Sequence, residues 1–436
     1  MRLEIDSIKI KDIQESSTTA IKDGVLYINK EELKAELLKD SKIKDVVINI
    51  ARPGEKDRII CIQDVMQPRC KADDKYSNFP GFVDKMATTG EGTTISLDGA
   101  AVIVSNPEST RIEMGILDMD GPMAGITPYA HLTNVSLAFY PVEDIKNNAN
   151  EERLFEDAIK AAGLKACVYL AKAGIGQKAD EVEVFESEVG QVVDPTLPKV
   201  AYCFQAYTPQ FDYKGISDKF FYGQAVANTF PTIINPNEAL DGAVVGWNAI
   251  KAIDTYSMQN NGTIKELYKQ HGKTLNFVGV VINSASTNDE FRALTAEMCA
   301  NLLKNVLHAD GAVLTKILGG MPHSDIACTG VACEHKGVKT CVPTTPLTAT
   351  GTLADTILYN NIELDLITIT GSPFERTWNI KFKPENIYGG APDTRIYFSE
   401  MHLPQYANSE VINMEQYLMC GVHDHTGSRK IITKEF

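Results

Sequence analysis

The chain has 436 residues, 44% of them hydrophobic and 23% charged, which is enough to bury the cores of two or three ordinary domains. Its net charge of -15 argues against nucleic-acid binding, because phosphate contacts need clustered Lys and Arg and the 42 basic residues form no run. No apolar run approaches the roughly 18 residues that cross a bilayer, so we expect no membrane association.

The compartment is predicted from the first residues and from the cysteines. MRLEIDSIKIKDI alternates charged and apolar side chains, unlike the basic-then-apolar pattern of a signal peptide. Nine cysteines, an odd number, show no disulfide framework. We therefore expect a cytoplasmic, water-soluble protein with reduced thiols.

Residues 1–145 are predicted to form a mostly β domain. Short β-rich runs follow one another here and are separated by Pro-Gly and Gly-Pro turns. The runs are IDSIKI, GVLYI, DVVINI, RIICIQDV, TTISLDG and AAVIVS.

Residues 146–195 are predicted to form a helical connection. In NANEERLFEDAIKAAGLKACVYLAKAG, apolar residues such as Phe155, Ile159 and Ala162 recur at three- and four-residue spacing, and Gly174 ends the run. This pattern indicates an amphipathic helix.

Residues 196–436 are predicted to form a Rossmann-like α/β region. Apolar runs alternate with helical stretches, which indicates a parallel sheet with helices on both faces. The runs are KVAYCFQAY, PTIINP, DGAVVGW, LNFVGVVINS, GAVLTKIL, KTCVPTT and DLITIT. Ligands bind beyond the carboxyl ends of such strands, so function is expected after Val245, Asn283, Ile317, Thr344 and Thr370.

Long irregular stretches of the chain resemble one known family in the same order. They include IARPGEKDRIICIQDVMQPR, GEGTTISLDGAAVIVS, GILDMDGPMAGITPYAHL, NPNEALDGAVVGWNA and LYKQHGKTLNFVGVVI. The chain is similar to the proprotein subunit of component B of the glycine, sarcosine and betaine reductases, and also to the D-proline reductase proprotein. The resemblance covers nearly the whole chain.

The resemblance implies a self-processing reaction at one cysteine. In that family an Asn-Cys or Thr-Cys bond breaks after a strand like DGAVV, and the cysteine becomes a pyruvoyl group that captures an amine as an imine. The matching residues here are Trp247, Asn248 and Ala249. A methyl group cannot attack the preceding carbonyl, so we predict an uncleaved chain without a pyruvoyl group and with no other cofactor. Ser257, a downstream serine that could act instead, is eight residues further on.

We predict that the surroundings of the missing cysteine bind substrate non-covalently. Trp247, Asn248 and Ala249 are the expected substrate-binding residues, and Trp247 either stacks on a cation or packs as core. Lys251 and Asp254 are the expected catalytic residues. Lys251 either forms an imine or extends to solvent. Asp254 either holds Lys251 by charge or forms a turn with Thr255.

Two further features of the sequence are candidate binding sites. Gly319 and Gly320 follow the run GAVLTKIL, and either present backbone N–H groups to a substrate carboxylate or form an ordinary tight turn. Cysteines and histidines occur in two groups, but their spacing is not that of a zinc knuckle, so we predict no metal site. The groups are His323, Cys328, Cys333, His335 and Cys341, and Cys420, His423 and His425. A redox pair of Cys328 and Cys333, and a metal-dependent lyase or hydrolase, are the alternatives that these groups leave open.

The resemblance implies a function within an oligomeric complex. We expect the substrate-binding subunit of a glycine-reductase-like enzyme, which acts with a separate thiol- or selenol-containing subunit to cleave a C–N or similar bond of a small molecule. The alternative is a non-catalytic scaffold or regulatory paralogue. An open pocket at Trp247 would favour substrate binding, and a pocket filled by Trp247 would favour the scaffold.

Overall fold

The computed structural model describes most of the chain. The described residues are 1–109, 115–207, 217–225, 229–247, 254–286, 288–316, 321–344, 363–369, 377–396, 405–415, 419–422 and 434–435.

The elements of the first half are mostly strands. The strands are β1 Arg2–Lys9, β2 Asp12–Glu15, β3 Ala20–Lys22, β4 Val25–Ile28, β5 Ile43–Ala51, β6 Asp57–Met66, β7 Arg69–Lys71, β8 Gly92–Asp98, β9 Ala100–Ser105, β10 Gly115–Asp118, β11 Thr133–Pro141 and β12 Glu181–Glu186. The helices are α1 Lys30–Leu37 and α2 Ala149–Ala171, with short 3-10 helices at Pro128–His131 and Lys172–Gly174.

The second half alternates strands and helices. The strands are β13 Lys199–Tyr207, β14 Lys219–Phe221, β15 Gln224–Ala225, β16 Thr232–Ile234, β17 Asn276–Ser284, β18 Gly311–Thr315, β19 Lys339–Thr344, β20 Leu366–Ile369, β21 Thr377–Lys381, β22 Asn386–Tyr388, β23 Arg395–Ile396, β24 Gln405–Tyr406, β25 Val411–Glu415 and β26 Lys434–Glu435. The helices are α3 Pro236–Leu240, α4 Thr255–Gln259, α5 Gly262–Gln270, α6 Asp289–Asn301 and α7 Met321–His335, with a π-helical turn at Leu302–Val306.

The first half builds its two larger sheets around α2, and β2, β4 and β3 form a third, smaller one. One of the larger sheets has the order β12-β1-β8-β7 and the other the order β10-β6-β9-β11-β5, with β22 added beside β6. The long helix α2 lies in the same apolar core as both sheets and buries Phe155, Ile159 and Ala162 there. The predicted β-rich runs and the predicted amphipathic helix are confirmed.

The second half contains the predicted parallel sheet. Among the described residues its order is β16-β17-β13-β18-β19-β20-β26, and the five central strands run parallel. Helices α3, α4 and α5 pack on one face, and α6 and α7 pack on the other. The α/β fold class is therefore confirmed.

The strand order places a switch point between β13 and β18. The second parallel strand in sequence, β17, pairs on one side of β13, and the third, β18, pairs on the other side. In sheets of this order, connections leave in opposite directions at that point and open a crevice at the carboxyl ends of the two strands. Residues near the ends of β13 and β18 are thus well placed to meet a ligand.

One predicted strand is wrong. The run DGAVVGW, residues 241–247, follows α3 without forming a strand, and Val244 makes a single bridge to Phe221. Val244, Val245 and Trp247 are nevertheless buried. The backbone N–H of Tyr222 donates to Ala243 and that of Val245 donates to Phe220, which is too little pairing for a strand. Apolar periodicity cannot separate this case from a strand.

The domain boundaries near 145 and 195 stay a prediction. Strand pairing crosses both of them, since β12 pairs with β1 and β22 pairs with β6. In the described part of the chain, no helix combines the length and the apolar character that a membrane span needs.

Candidate functional site

The site is built around the two ends of segment 248–253, which contains the position of the missing cysteine. Trp247 and Asp254 border this segment and are described. The other predicted site residues lie outside the described residues. They are Asn248, Ala249, Lys251, Gly319 and Gly320.

Trp247 is fixed by a buried carboxylate. Its side chain is 1% exposed, and its indole N–H donates to Oε2 of Glu156 over 2.6 Å. The other oxygen, Oε1, accepts from the amide of Asn106 over 2.9 Å. Both donors keep a buried carboxylate solvated by hydrogen bonds, which lowers the cost of burying it. The indole is therefore part of the core and held in one orientation.

The cation over Trp247 belongs to the chain itself. The ammonium of Lys160 lies 5.5 Å from the centre of the indole ring and 5.7 Å from that of Phe82. The same ammonium donates to the backbone carbonyl of Lys219. Burial lowers the pKa of Lys160 to about 8, against the opposing pull of carboxylates led by Asp64. A desolvated amine thus lies over the ring of Trp247.

Asp64 anchors the far end of the segment. Its carboxylate accepts the backbone N–H of Thr255 at 2.9 Å and the hydroxyl of Thr255 at 2.5 Å. Burial raises the pKa of Asp64 to about 7, although both bonds to Thr255 favour the charged form. The aspartate is 0% exposed and lies within β6.

Asp254 starts a helix. It is the N-cap of α4, where its Oδ1 accepts the backbone N–H of Ser257 over 2.7 Å. The hydroxyl of Tyr129 donates to the same oxygen over 2.5 Å. Asp254 is 2% exposed, and its carboxylate fixes the residue at which α4 begins. The predicted pairing with Lys251 lies outside the described residues, and its catalytic role stays a prediction.

Asp241 anchors the start of the run that leads to Trp247. It forms a buried ion pair with Lys71 and accepts hydrogen bonds from Thr89, Gly90 and Thr94. The next residue, Gly242, has φ +92°, and a Cβ there would lie 2.8 Å from the ring of Phe79. A side chain at that position would therefore clash with the core.

These groups give the segment two titrating neighbours near neutral pH. A carboxyl with a pKa of about 7 and an amine with a pKa of about 8 are both within one unit of the pH at which proton transfer is useful. They are also buried, which strengthens their electrostatic effect on any charge near them. The arrangement places one group of each kind at the described ends of the segment, Lys160 at Trp247 and Asp64 at Thr255.

Sequence reasoning missed Asp64, Glu156 and Lys160. Each interrupts an apolar pattern: Asp64 lies within RIICIQDV, and Glu156 and Lys160 lie four residues apart on the buried stripe of α2. Charged residues are rarely fully buried unless they are paired. These three residues could have been recognised in the sequence because each is a charged residue at a position where the apolar pattern predicts burial.

The cysteine and histidine groups contain the residue types that bind zinc. No group of three possible ligands occurs among the described residues, and His423 and His425 lie outside them. All nine cysteines lie among the described residues, and no disulfide joins any two of them there. Cys328 is exposed and Cys333 is buried on the same helix, α7, so they point to different surroundings.

The fold and the site define an α/β protein in which buried ionic groups hold both ends of one short segment. The chain belongs to the family described as "Glycine/sarcosine/betaine reductase component B subunits", whose model matches residues 1–427. This confirms the resemblance drawn from the sequence.

Several curated proteins are similar to the chain over most of its length. "Glycine reductase complex component B subunits alpha and beta" of Acetoanaerobium sticklandii is 38% identical over 353 residues, 79% of each chain. "Sarcosine reductase complex component B subunit alpha" of Peptoclostridium acidaminophilum is 35% identical over 348 residues, 78% of each. "Betaine reductase complex component B subunit alpha" of the same organism is 32% identical over 347 residues, 78% of this chain and 77% of the relative. No solved structure matches the chain.

Proposed function

We propose that this chain is the substrate-binding subunit of a glycine/sarcosine/betaine-reductase-like complex, and that it binds its substrate without a pyruvoyl group. The observation that carries the proposal is the alanine at position 249, where the resemblance to the family predicts the cysteine of its processing site, between two ends held by buried polar groups.

The side chain at position 249 decides the chemistry. Conversion of a cysteine to a pyruvoyl group begins when its sulfur attacks the preceding carbonyl, and alanine has no nucleophile. A substrate amine then has no ketone with which to form an imine. The chain can then bind its substrate only non-covalently. This suits a substrate whose nitrogen is already a good leaving group, because such a substrate does not need to be activated as an imine.

The buried groups support this proposal because they fix the backbone on either side of residues 248–253. Glu156 fixes Trp247, and Asp64 fixes Thr255, so the backbone that bears residues 248–253 is held at both ends. Preorganised sites lose less entropy when a ligand binds. Lys160 contributes an amine of lowered pKa beside this backbone, which favours binding of an anionic group when it is charged.

The reaction proposed for the complex is a two-electron reductive cleavage. A thiolate or selenolate of the partner subunit forms a bond to the carbon that bears nitrogen, the C–N bond breaks, and the amine leaves with the bonding pair and takes up a proton. In a later step a second thiol of the partner attacks that sulfur or selenium, its bond to carbon breaks, the carbon takes up a proton, and the partner is left oxidised as a disulfide or a selenide–sulfide. This chain binds the substrate and provides the surface on which the partner assembles.

A specific observation favours a second candidate, a non-catalytic scaffold or regulatory paralogue. Trp247 is 1% exposed and its ring already lies beside Lys160, as expected if the tryptophan fills the position of a lost pocket. The two candidates differ in whether the chain binds a small amine at all.

Calorimetric titration with glycine, sarcosine and betaine tests the proposal. Saturable binding of one of them to the uncleaved chain is expected, with about 10-fold weaker binding in Lys160→Met, because a charged hydrogen bond is lost. Lys165→Met on the same helix is the matched control and keeps the affinity of the native chain. Absence of binding to all three compounds, together with intact assembly on the partner, supports the scaffold and contradicts substrate binding.

A further inference from the structure

A groove on the protein surface is lined by large apolar and aromatic side chains. Its lining includes Phe221 and Tyr222 of the hairpin β14–β15, together with Met86 and Phe230. Met86 is 58% exposed and Phe230 is 55% exposed, which places both among the most exposed large hydrophobic residues that the structure describes. Exposed apolar groups gathered in one place are typical of a surface that binds another molecule.

The apolar surface continues from the groove onto α6. The ring of Phe230 lies 5.6 Å from that of Phe291, which is in the first turn of that helix. Leu294 follows three residues later on the same side of α6 and is 51% exposed. Phenylalanine and methionine are enriched in the cores of protein–protein interfaces. The extent of this surface therefore favours a protein over a small molecule.

Hydrogen bonds around Glu238 hold the groove in shape. Its Oε1 accepts the hydroxyl of Tyr222 over 2.6 Å, and its Oε2 accepts the backbone N–H of Asn235 over 2.6 Å. The backbone N–H of Thr89 donates to the same hydroxyl over 3.4 Å. A groove that is already ordered loses less entropy when a partner binds.

Glu238 brings a negative charge to the groove and has no basic partner among the described residues. A carboxylate has about four acceptor positions, so its two hydrogen bonds leave capacity for a further donor. Burial raises the pKa of Glu238, because its charged form is poorly solvated, and a cation beside it would offset that cost. The aromatic rings that line the same groove also attract cations.

We propose that this groove docks a partner protein by taking up one of its arginine side chains, whose guanidinium donates to Glu238 while neighbouring apolar residues cover Met86 and Phe230. A guanidinium fits better than an ammonium because it is planar and stacks on aromatic rings. The net charge of -15 opposes association of the chain with a second copy of itself, so the occupant is a different protein.

The hairpin β14–β15 connects the groove with the candidate site. The backbone carbonyl of Lys219 accepts from Lys160, and that of Phe220 accepts the N–H of Val245 over 2.9 Å. A partner in the groove is thus one strand away from the run that leads to Trp247. In this respect the inference rests on the proposed function, because it identifies the surface on which the thiol- or selenol-containing subunit assembles.

Titration of the full chain with the peptide acetyl-Leu-Arg-Leu-amide, followed by ligand-observed NMR, tests the proposal. The matched control is acetyl-Leu-citrulline-Leu-amide, since citrulline has the shape of arginine without its charge. The arginine peptide is expected to bind saturably and about 10-fold more tightly, because hydrogen bonds between charged groups are the stronger kind. Equal affinities of the two peptides overturn the assignment to arginine.

Two variants locate the binding in the groove. Glu238→Gln keeps an acceptor for the N–H of Asn235 and is expected to weaken the arginine peptide about 10-fold while leaving the citrulline peptide unchanged. Phe230→Ala alters an exposed ring and is expected to weaken both peptides about 3-fold or more. The controls Glu266→Gln and Tyr406→Ala alter exposed residues elsewhere and should change neither affinity.

Native affinity for the arginine peptide in Glu238→Gln and in Phe230→Ala overturns the site. If Glu238→Gln does not fold, Phe230→Ala alone decides. Sedimentation tests for a second copy: a native oligomer that dissociates in Phe230→Ala overturns the assignment to a different protein. Tighter binding of tetramethylammonium chloride than of the arginine peptide assigns the groove to a small organic cation and also overturns the proposal.

Failure of the docking groove and failure of the proposed function give different results. Phe230→Ala is expected to retain the binding of glycine, sarcosine or betaine that Lys160→Met weakens. Absence of binding of these three compounds to the native chain, with binding of the arginine peptide intact, contradicts substrate binding and leaves the docking groove supported. The reverse result contradicts the docking groove alone.

Discussion

The indole of Trp247 and the carboxylate of Glu156 are joined by a buried hydrogen bond of 2.6 Å across 91 residues of sequence. The bond ties the end of the apolar run 241–247 to the middle of α2, which is itself the central helix of the first half. Glu156 also accepts from Asn106, so one carboxylate links three separate parts of the chain.

Replacing Glu156 tests this link. Glu156→Ala leaves two buried donors without an acceptor and is expected to lower the free energy of unfolding by about 3 kcal/mol, whereas Glu156→Gln, which keeps one acceptor, is expected to cost about 1 kcal/mol. Urea unfolding monitored by circular dichroism measures both. Glu151→Gln, on the same helix but partly exposed beside Lys42, serves as the control and is expected to cost about 0.5 kcal/mol. Equal costs for Glu156→Ala and the control would refute the link.

Asp64 makes stability depend on pH. Its folded pKa of about 7 exceeds the ordinary value of 3.8. Between about pH 4 and pH 7 the carboxyl is therefore protonated in the folded protein and ionised in the unfolded chain. The contribution of this group to the free energy of unfolding therefore falls as pH rises through that window, by about 1 kcal/mol per pH unit.

Asp64→Asn should remove this part of the pH dependence and flatten the unfolding free energy between pH 4 and pH 7. Urea midpoints at several pH values measure it. Asp194→Asn alters a carboxylate whose pKa is lowered by hydrogen bonds from Thr196, and it should retain the fall seen in the native chain. A profile of Asp64→Asn that parallels the native one would show that Asp64 ionises normally.

The ion pair of Lys71 with Asp241 is expected to show strong coupling. Lys71→Met leaves a buried carboxylate unpaired and should cost about 3–5 kcal/mol, whereas Lys71→Met combined with Asp241→Leu should cost less than the sum of the single changes. Lys339→Met breaks the exposed pair with Asp365 and should cost far less than Lys71→Met, because solvent screens that pair. Additive costs at Lys71 and Asp241 would contradict coupling.

The parallel sheet could be predicted because buried parallel strands are nearly continuous apolar runs. β13, β17 and β18 have this pattern and are strands. The run 241–247 has it as well and is not a strand, because its backbone pairs with residues 220–222 over a single bridge while its apolar side chains are buried. Composition alone does not reveal which contacts a run will make.

The candidate site was predictable only at its ends. Trp247 and Asp254 came from the resemblance, and both lie at the site. Asp64 lies in β6, whereas Glu156 and Lys160 lie four residues apart in α2, and only the packing of α2 against the sheets brings these two parts of the chain near Trp247. A charged residue inside an apolar pattern predicts a buried charge, but the sequence does not show which residue it contacts.

Restoring the missing nucleophile tests the assignment of position 249. Ala249→Cys creates the Asn-Cys pair of the family's processing site, and we expect part of the purified protein to cleave before position 249, because the sulfur can then attack the carbonyl of Asn248. Denaturing gels and mass spectrometry measure cleavage. Ala249→Ser, with a weaker nucleophile, should cleave more slowly. Complete stability of Ala249→Cys would show that the positions do not correspond.

The most direct test of the central claim is the intact mass of the freshly purified native chain. One unbroken species near 47.9 kDa, unreactive toward a carbonyl reagent such as phenylhydrazine, is the result that non-covalent substrate binding predicts. Two fragments, the second with a keto-acyl amino terminus that reacts with phenylhydrazine, would contradict it and place the family's covalent chemistry at another residue of this chain.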